Sequence, residues 1–333
     1  MIELSTIWAG IIAFAVLTYV VLDGFDLGIG ILFPFARTNK DRDVMMNSVT
    51  PVWDGNETWL VLGGGGLFAV FPLAYAVVMP AIYMPIIVML LALVFRGVAF
   101  EYRWRTERAR WVWDLAFHGG STLAAFCQGI ALGALVQGIP VEDRAYAGGW
   151  WDWLSPFSLL TGAALVIGYT LLGATWLNMK TTGELQRRMR GYARPLMVAT
   201  LGLIGLVSLL TPFQDPVYLT RWFAWPGVIF SVAVPVMLIA LAWRLDRGLR
   251  TKEDYSPFFC AIGFFALSFI GIGISFYPYM VPPSLTIAEA AAPDSSLAFA
   301  LVGAVVLIPI ILAYTAYSYW VFRGKIDPEE SFH

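Results

Sequence analysis

The chain is short of charge, of histidine and of cysteine. Only 13% of its 333 residues are charged, against roughly 25% in an ordinary soluble domain. With 59% hydrophobic residues, the composition excludes a water-soluble enzyme and fits one polytopic, all-α membrane domain over residues 1–333. A net charge of −2 leaves no basic field for nucleic acid. The two histidines are His118 and His333, so bis-histidine haem ligation within the chain would need the last residue. His118 reads as a hydrogen-bonded packing residue, and the 11 Met, scattered through apolar runs, read as core. Cys127 and Cys260 lie in apolar runs and supply neither a disulfide framework nor an iron–sulfur site. No nucleotide-binding loop is present. The opening "MIELSTIWAG" has Glu3 but no Lys or Arg, unlike the basic start of a signal peptide, so the first apolar run reads as a retained transmembrane helix.

What is present is a series of long apolar runs. A helix needs about 20 apolar residues to cross the hydrocarbon core. The runs predict nine such helices, near 6–35, 49–71, 74–101, 114–138, 155–178, 194–211, 222–243, 256–279 and 297–322. Nineteen of the 21 Lys and Arg fall in alternate loops and the tail, and only Arg144 and Arg221 fall on the other side. By the positive-inside rule the N-terminus is periplasmic and the C-terminus cytoplasmic. The outer loop "MVPPSLTIAEAAAPDSS" leaves room for a short interfacial helix, and the tail "GKIDPEESFH" reads as a solvated terminus. "GGWWDWLSP" and "TRWFAWP" read as an interfacial aromatic belt.

Against this apolar background, "LDGFDLGIG" (22–30) and "PVWDGNETW" (51–59) each hold two acids three residues apart. That spacing puts Asp23 with Asp26, and Asp54 with Glu57, on one helix face. On the predicted topology all four lie in the cytoplasmic half, Asp54 and Glu57 about two turns into their helix. An acid facing lipid at the bilayer centre costs at least about 2.5 kcal/mol, so these faces should turn to a protein interior. Such acids serve either to relay protons or bind a cation, or to pin helices together. Gly24 and Gly28 form a small-xxx-small pair for close helix approach, and "GGGG" at 63–66 permits a kink or a close contact. Membrane acids beside glycines also fit a proton- or cation-coupled secondary transporter.

Six stretches, in order, resemble subunit II of the cytochrome bd quinol oxidases: "LDGFDLGIG", "PVWDGNETWL", "FRGVAFEYR", "GELQRRMR", "FYPYMVPPS" and "VLIPIILAYTAYSYW". The length is similar to that of the shorter, cyanide-insensitive branch. The resemblance implies nine helices in two four-helix bundles plus a peripheral helix, in a bacterial inner membrane. It implies a haem-free subunit beside a partner, subunit I, that carries two haems b and one haem d, oxidises quinol and reduces oxygen to water. A small single-helix accessory subunit and a structurally bound quinone or lipid belong to the same expectation. By resemblance, Asp54 is the candidate relay on a cytoplasmic proton route, with Glu57, Asp23 and Asp26 behind it. Arg96 and Glu101 match an ion-paired helix end, and Trp59 borders a candidate apolar oxygen route.

Overall fold

The computed structural model describes residues 3–225 and 227–326. His333 and the tail beyond residue 326 lie outside the described residues. Long helices dominate: α1 (Leu4–Leu32), α3 (Trp53–Val70), α4 (Pro72–Arg105), α5 (Arg110–Gln137), α6 (Pro156–Lys180), α7 (Gly183–Leu210), α9 (Gly227–Arg250), α10 (Ser256–Phe276) and α12 (Asp294–Val321). Short helices α2 (Asn39–Asn47), α8 (Val217–Phe223) and α11 (Ile287–Ala290) sit in connections. Two antiparallel ribbons, β1–β2 (Val141–Glu142 with Ala145–Tyr146) and β3–β4 (Tyr279–Val281 with Leu285–Thr286), lie in the two longest loops.

Among the described residues, eight helices are long and apolar enough to cross a membrane. The remaining long helix, α3, has 18 residues. Its first turns carry Asp54, Asn56 and Glu57, and its middle is the glycine run, so it holds no stretch as apolar as those of the other eight. The chain is an all-α, multi-pass membrane protein.

Most segment boundaries shift by a few residues from the sequence expectation, α9 running on to Arg250, and three of the shifts have a clear local cause. α3 begins at Trp53, because residues 48–52 form turns after α2; Asp54 is therefore in the first turn, not two turns in. α7 begins at Gly183, since "ELQRRMR" consists of strong helix formers that extend the helix beyond its apolar part. The expected 222–243 segment is split. Phe223 ends α8, and the long helix starts at Gly227.

α1 is central, lying against α3, α5 and α6, and its second half, Asp23–Leu32, is buried throughout. The close crossing with α6 depends on glycine. A Cβ on Gly28 would collide with the Tyr169 carbonyl, and Gly173 faces the Gly28 backbone in return. α4 is bent where Pro80 and Pro85 interrupt its hydrogen bonds, with Ile82 at φ −122°, ψ 19°. α12 stands at the edge of the molecule, with Phe299 84% exposed.

Ion pairs tie the basic loops together at one end. Arg188 meets Asp41, Arg42 meets Asp114, and both Arg190 and Lys325 meet Asp254. At the other end the backbone of Ala292 bonds Val70, and that of Ile139 bonds Pro282. The two loop classes separated by charge thus occupy opposite ends of the bundle. The tail starts as a folded strap rather than a solvated terminus. Ile326 is buried and bonds the Lys180 carbonyl, and Lys325 Nζ reaches the Thr181 carbonyl at 3.1 Å.

Candidate functional site

Helix α4 delivers Arg96 to the middle of a buried polar cluster. Its Nη1 lies 2.5 Å from Asp23 Oδ1 on α1, and its Nη2 lies 3.0 Å from Glu57 Oε2 on α3. Arg96 and Asp23 are both 0% exposed, while the Glu57 side chain is 29% exposed. The guanidinium also sits 5.9 Å from the Trp53 ring centroid, a distance at which the ring face attracts a cation. One turn along α1, Asp26 Oδ2 accepts from Asn56 Nδ2 at 2.8 Å. Tyr319 of α12 donates to Asn56 Oδ1 at 2.8 Å, closing the group from the far end of the sequence.

Helical spacing explains the assembly. Asp23 and Asp26 share a face of α1, and Asn56 and Glu57 stand on the side of α3 that meets it. The α1–α6 crossing at Gly28 and Gly173 keeps α1 deep in the protein, so its acids are desolvated. Two carboxyl groups bind one guanidinium, and a third, Asp26, stands one turn away on Asn56. Full ionisation would leave an uncompensated negative charge in a region of low dielectric, which is costly. Beside Asn56 and Tyr319 is a small cavity of about 30 Å³, lined also by Pro51, Val52, Gly55, Tyr314, Thr315 and Ser318. That volume is on the scale needed to hold a water molecule.

Asp23, Asp26, Glu57 and Arg96 are therefore brought together. Asp54 is not: it is exposed on the outer side of α3, beside Gly55, so its side chain does not turn to this chain's interior. Glu101 is also separate. It is exposed and meets Arg105 at 3.9 Å, whereas Arg96 lies inside the protein. Glu101 thus pairs at the end of α4, whereas Arg96, five residues earlier and on a different face, forms a buried bridge to Asp23 and Glu57 instead of a helix-end pair. Trp59 is buried against Ala15 and Tyr19 and meets the Phe14 ring edge-on at 5.9 Å. His118 Nδ1 donates to the Gly30 carbonyl at 3.1 Å, the packing role expected of it.

Asn56 and Tyr319 were not singled out from the sequence. Asn56 lies between two more conspicuous acids, and Tyr319 lies in an aromatic-rich run. A second ionic cluster was also missed. Arg103, 0% exposed, bridges Asp43 of α2 and Asp114 of α5 at 2.6 Å each. It looks like one of several loop arginines until α2 folds back over it.

Comparison with known proteins bears on the whole chain. The family model described as "Cytochrome bd terminal oxidase subunit II" matches residues 4–322. The chain is similar to cytochrome bd-I ubiquinol oxidase subunit 2 of Escherichia coli (strain K12), at 32% identity over 98% of this chain and 96% of that one. It is similar to cytochrome bd ubiquinol oxidase subunit 2 of Bacillus subtilis (strain 168), at 30% identity over 99% of each. Among solved structures, the fold matches a chain of the bd oxidase from Geobacillus thermodenitrificans with a TM-score of 0.74. That match has 18% identity and covers 96% of this chain and 99% of the other.

Proposed function

Because the chain belongs to the cytochrome bd terminal oxidase subunit II family, and so is a subunit of a quinol oxidase complex, we propose that it is the haem-free partner of a subunit I carrying two haems b and haem d. In this reading α3 also spans the membrane, making nine transmembrane helices. One four-helix bundle is α1, α3, α4 and α5, the other is α6, α7, α9 and α10, and α12 is peripheral. The end that gathers the basic loops faces the cytoplasm of a bacterial inner membrane. A single-helix accessory subunit and a structural quinone or lipid complete the proposed assembly.

We further propose that the acid cluster contributes to the cytoplasmic proton supply for oxygen reduction. The supporting observation is the buried Arg96 bridge, with partly exposed Glu57 on one side and buried Asp26 on the other. Asp54, in the first turn of the same helix, is exposed on the chain's own surface. There it is placed to pass protons where another subunit covers it. Trp59 and its apolar neighbours offer a path for oxygen rather than for protons. The secondary-transporter reading has no support from the named relatives, which are oxidase subunits.

The test uses the natively purified complex. Asp54→Asn is expected to slow oxygen consumption while leaving the haem spectra intact. Unchanged turnover removes the relay role. Loss of haem together with activity points to assembly instead.

A further inference from the structure

The carboxylate of Asp23 is only half accounted for. Oδ1 binds Arg96, but Oδ2 is buried and makes no well-formed hydrogen bond among the described residues. One helical turn earlier on α1 stands Tyr19, 4% exposed, whose hydroxyl has Asp23 as an immediate electrostatic neighbour. Residues four apart on a helix lie on the same face.

Tyr19 is itself held from two other helices. Gln128 Nε2 of α5 donates to the Tyr19 oxygen at 2.7 Å, and Tyr169 of α6 donates to Gln128 Oε1 at 2.7 Å. The chain has a direction. Tyr169 gives its proton to Gln128, and Gln128 gives one to the Tyr19 oxygen. The Tyr19 oxygen is therefore occupied as an acceptor, and its own proton is left for the free side of Asp23. The far end is closed. The Tyr169 ring stacks on Phe265 at 5.5 Å and lies over Gly24, where a Cβ would strike it. A hydrogen-bonded row that ends against apolar side chains orients a group but passes no proton onward.

We propose that Tyr19, oriented by Gln128 and Tyr169, is a positioning residue that supplies the second hydrogen bond of Asp23 and so fixes the carboxylate in its Arg96-bound geometry. The groups facing Asp23 are then Arg96 from α4, Glu57 from α3, Tyr169 from α6, and Asp26 and Tyr19 from α1. The effect on turnover rests on the proton role proposed above, whereas the hydrogen bond does not.

The experiment is infrared spectroscopy with oxygen-consumption kinetics on the assembled complex. The carboxylate stretch of Asp23 is assigned by its loss in Asp23→Asn. In Tyr19→Phe the band is expected to shift, and kcat to fall about ten- to hundredfold with KM unchanged, the range for losing one hydrogen bond to a charged group. Tyr169→Phe is expected to move the band the same way by less. In the Asp23→Asn background, Tyr19→Phe is expected to add nothing. A band unmoved by either substitution overturns the proposal, as does an undiminished kcat loss in the Asp23→Asn background. A merely structural Tyr19 would lower stability and leave the band in place. If Tyr19→Phe fails to assemble, Tyr169→Phe decides alone. If Asp23→Asn turns over normally while the band still shifts, the proton role falls and the positioning hydrogen bond stands.

Discussion

Arg96 Nη1 lies 2.5 Å from Asp23 Oδ1, with both side chains sealed from solvent. This bridge joins α4 to α1 across 73 residues of sequence. Breaking one side of such a pair leaves the other charge buried and unpaired, which costs about 3–5 kcal/mol. Arg96→Leu is therefore expected to lower the thermal midpoint of the purified complex strongly. The double variant Arg96→Leu with Asp23→Leu is expected to recover a large part of the loss. An unchanged midpoint in Arg96→Leu would show that the bridge carries no stability.

The Asn56 amide separates two tests. Tyr319→Phe removes one donor to Asn56 Oδ1 and is expected to cost about 0.5–1.5 kcal/mol. Asn56→Leu also strips the donor from buried Asp26 Oδ2, at an added penalty of about 1–3 kcal/mol. Thr58→Ala, one turn from Asp54 on the exposed side, is expected to be near neutral. Denaturation midpoints that fail to follow this order would contradict the described hydrogen bonds.

Two glycines make opposite predictions. Gly28→Ala places a methyl group against the Tyr169 backbone, and overpacking of this type costs about 1–3 kcal/mol or more. Gly191 lies in α7 with nothing near its Cβ direction, so Gly191→Ala is expected to stabilise by roughly 0.5–1 kcal/mol. Expression level and thermal midpoint of the two variants check the contrast.

Acid sensitivity has one local source in the turn between α9 and α10. Arg244 Nη2 donates to Glu253 Oε2 at 2.6 Å and Ser256 Oγ donates to it at 2.5 Å. Those hydrogen bonds pull the Glu253 carboxyl from an ordinary 4.5 down to about 2. Since the folded form holds the carboxylate more tightly, the stabilisation is complete above about pH 4.5 and is lost as pH falls toward 2. The stability difference between wild type and Glu253→Gln is expected to be flat above that window and to shrink within it. A difference independent of pH would mean that packing, not ionisation, is at work.

The membrane spans and the separation of basic from acidic loops were legible because hydropathy and charge are one-dimensional signals. Asp23, Asp26 and Glu57 stood out because charge inside apolar runs is rare, whereas Arg96 falls among the loop cations and is singled out only by the family resemblance. Their pairing was not legible. Spacing along α1 tells which acids share a face, but not that a guanidinium 73 residues away will be delivered to it. Asp54 was placed too deep because "VTPVW" extends the apolar run although Val49–Val52 forms turns. Tyr19, Gln128 and Tyr169 left no mark because single polar groups on three helices acquire meaning only when those helices meet.

Tyr319 lies 263 residues after Asn56, on α12, a helix that follows every other member of the cluster in the chain. Until that helix docks, the amide that supports Asp26 lacks its outer clamp, and one wall of the adjoining cavity is missing. The polar centre is thus complete only once α12 is in place, and a product truncated before that helix would carry a carboxyl group whose supporting amide lacks its clamp.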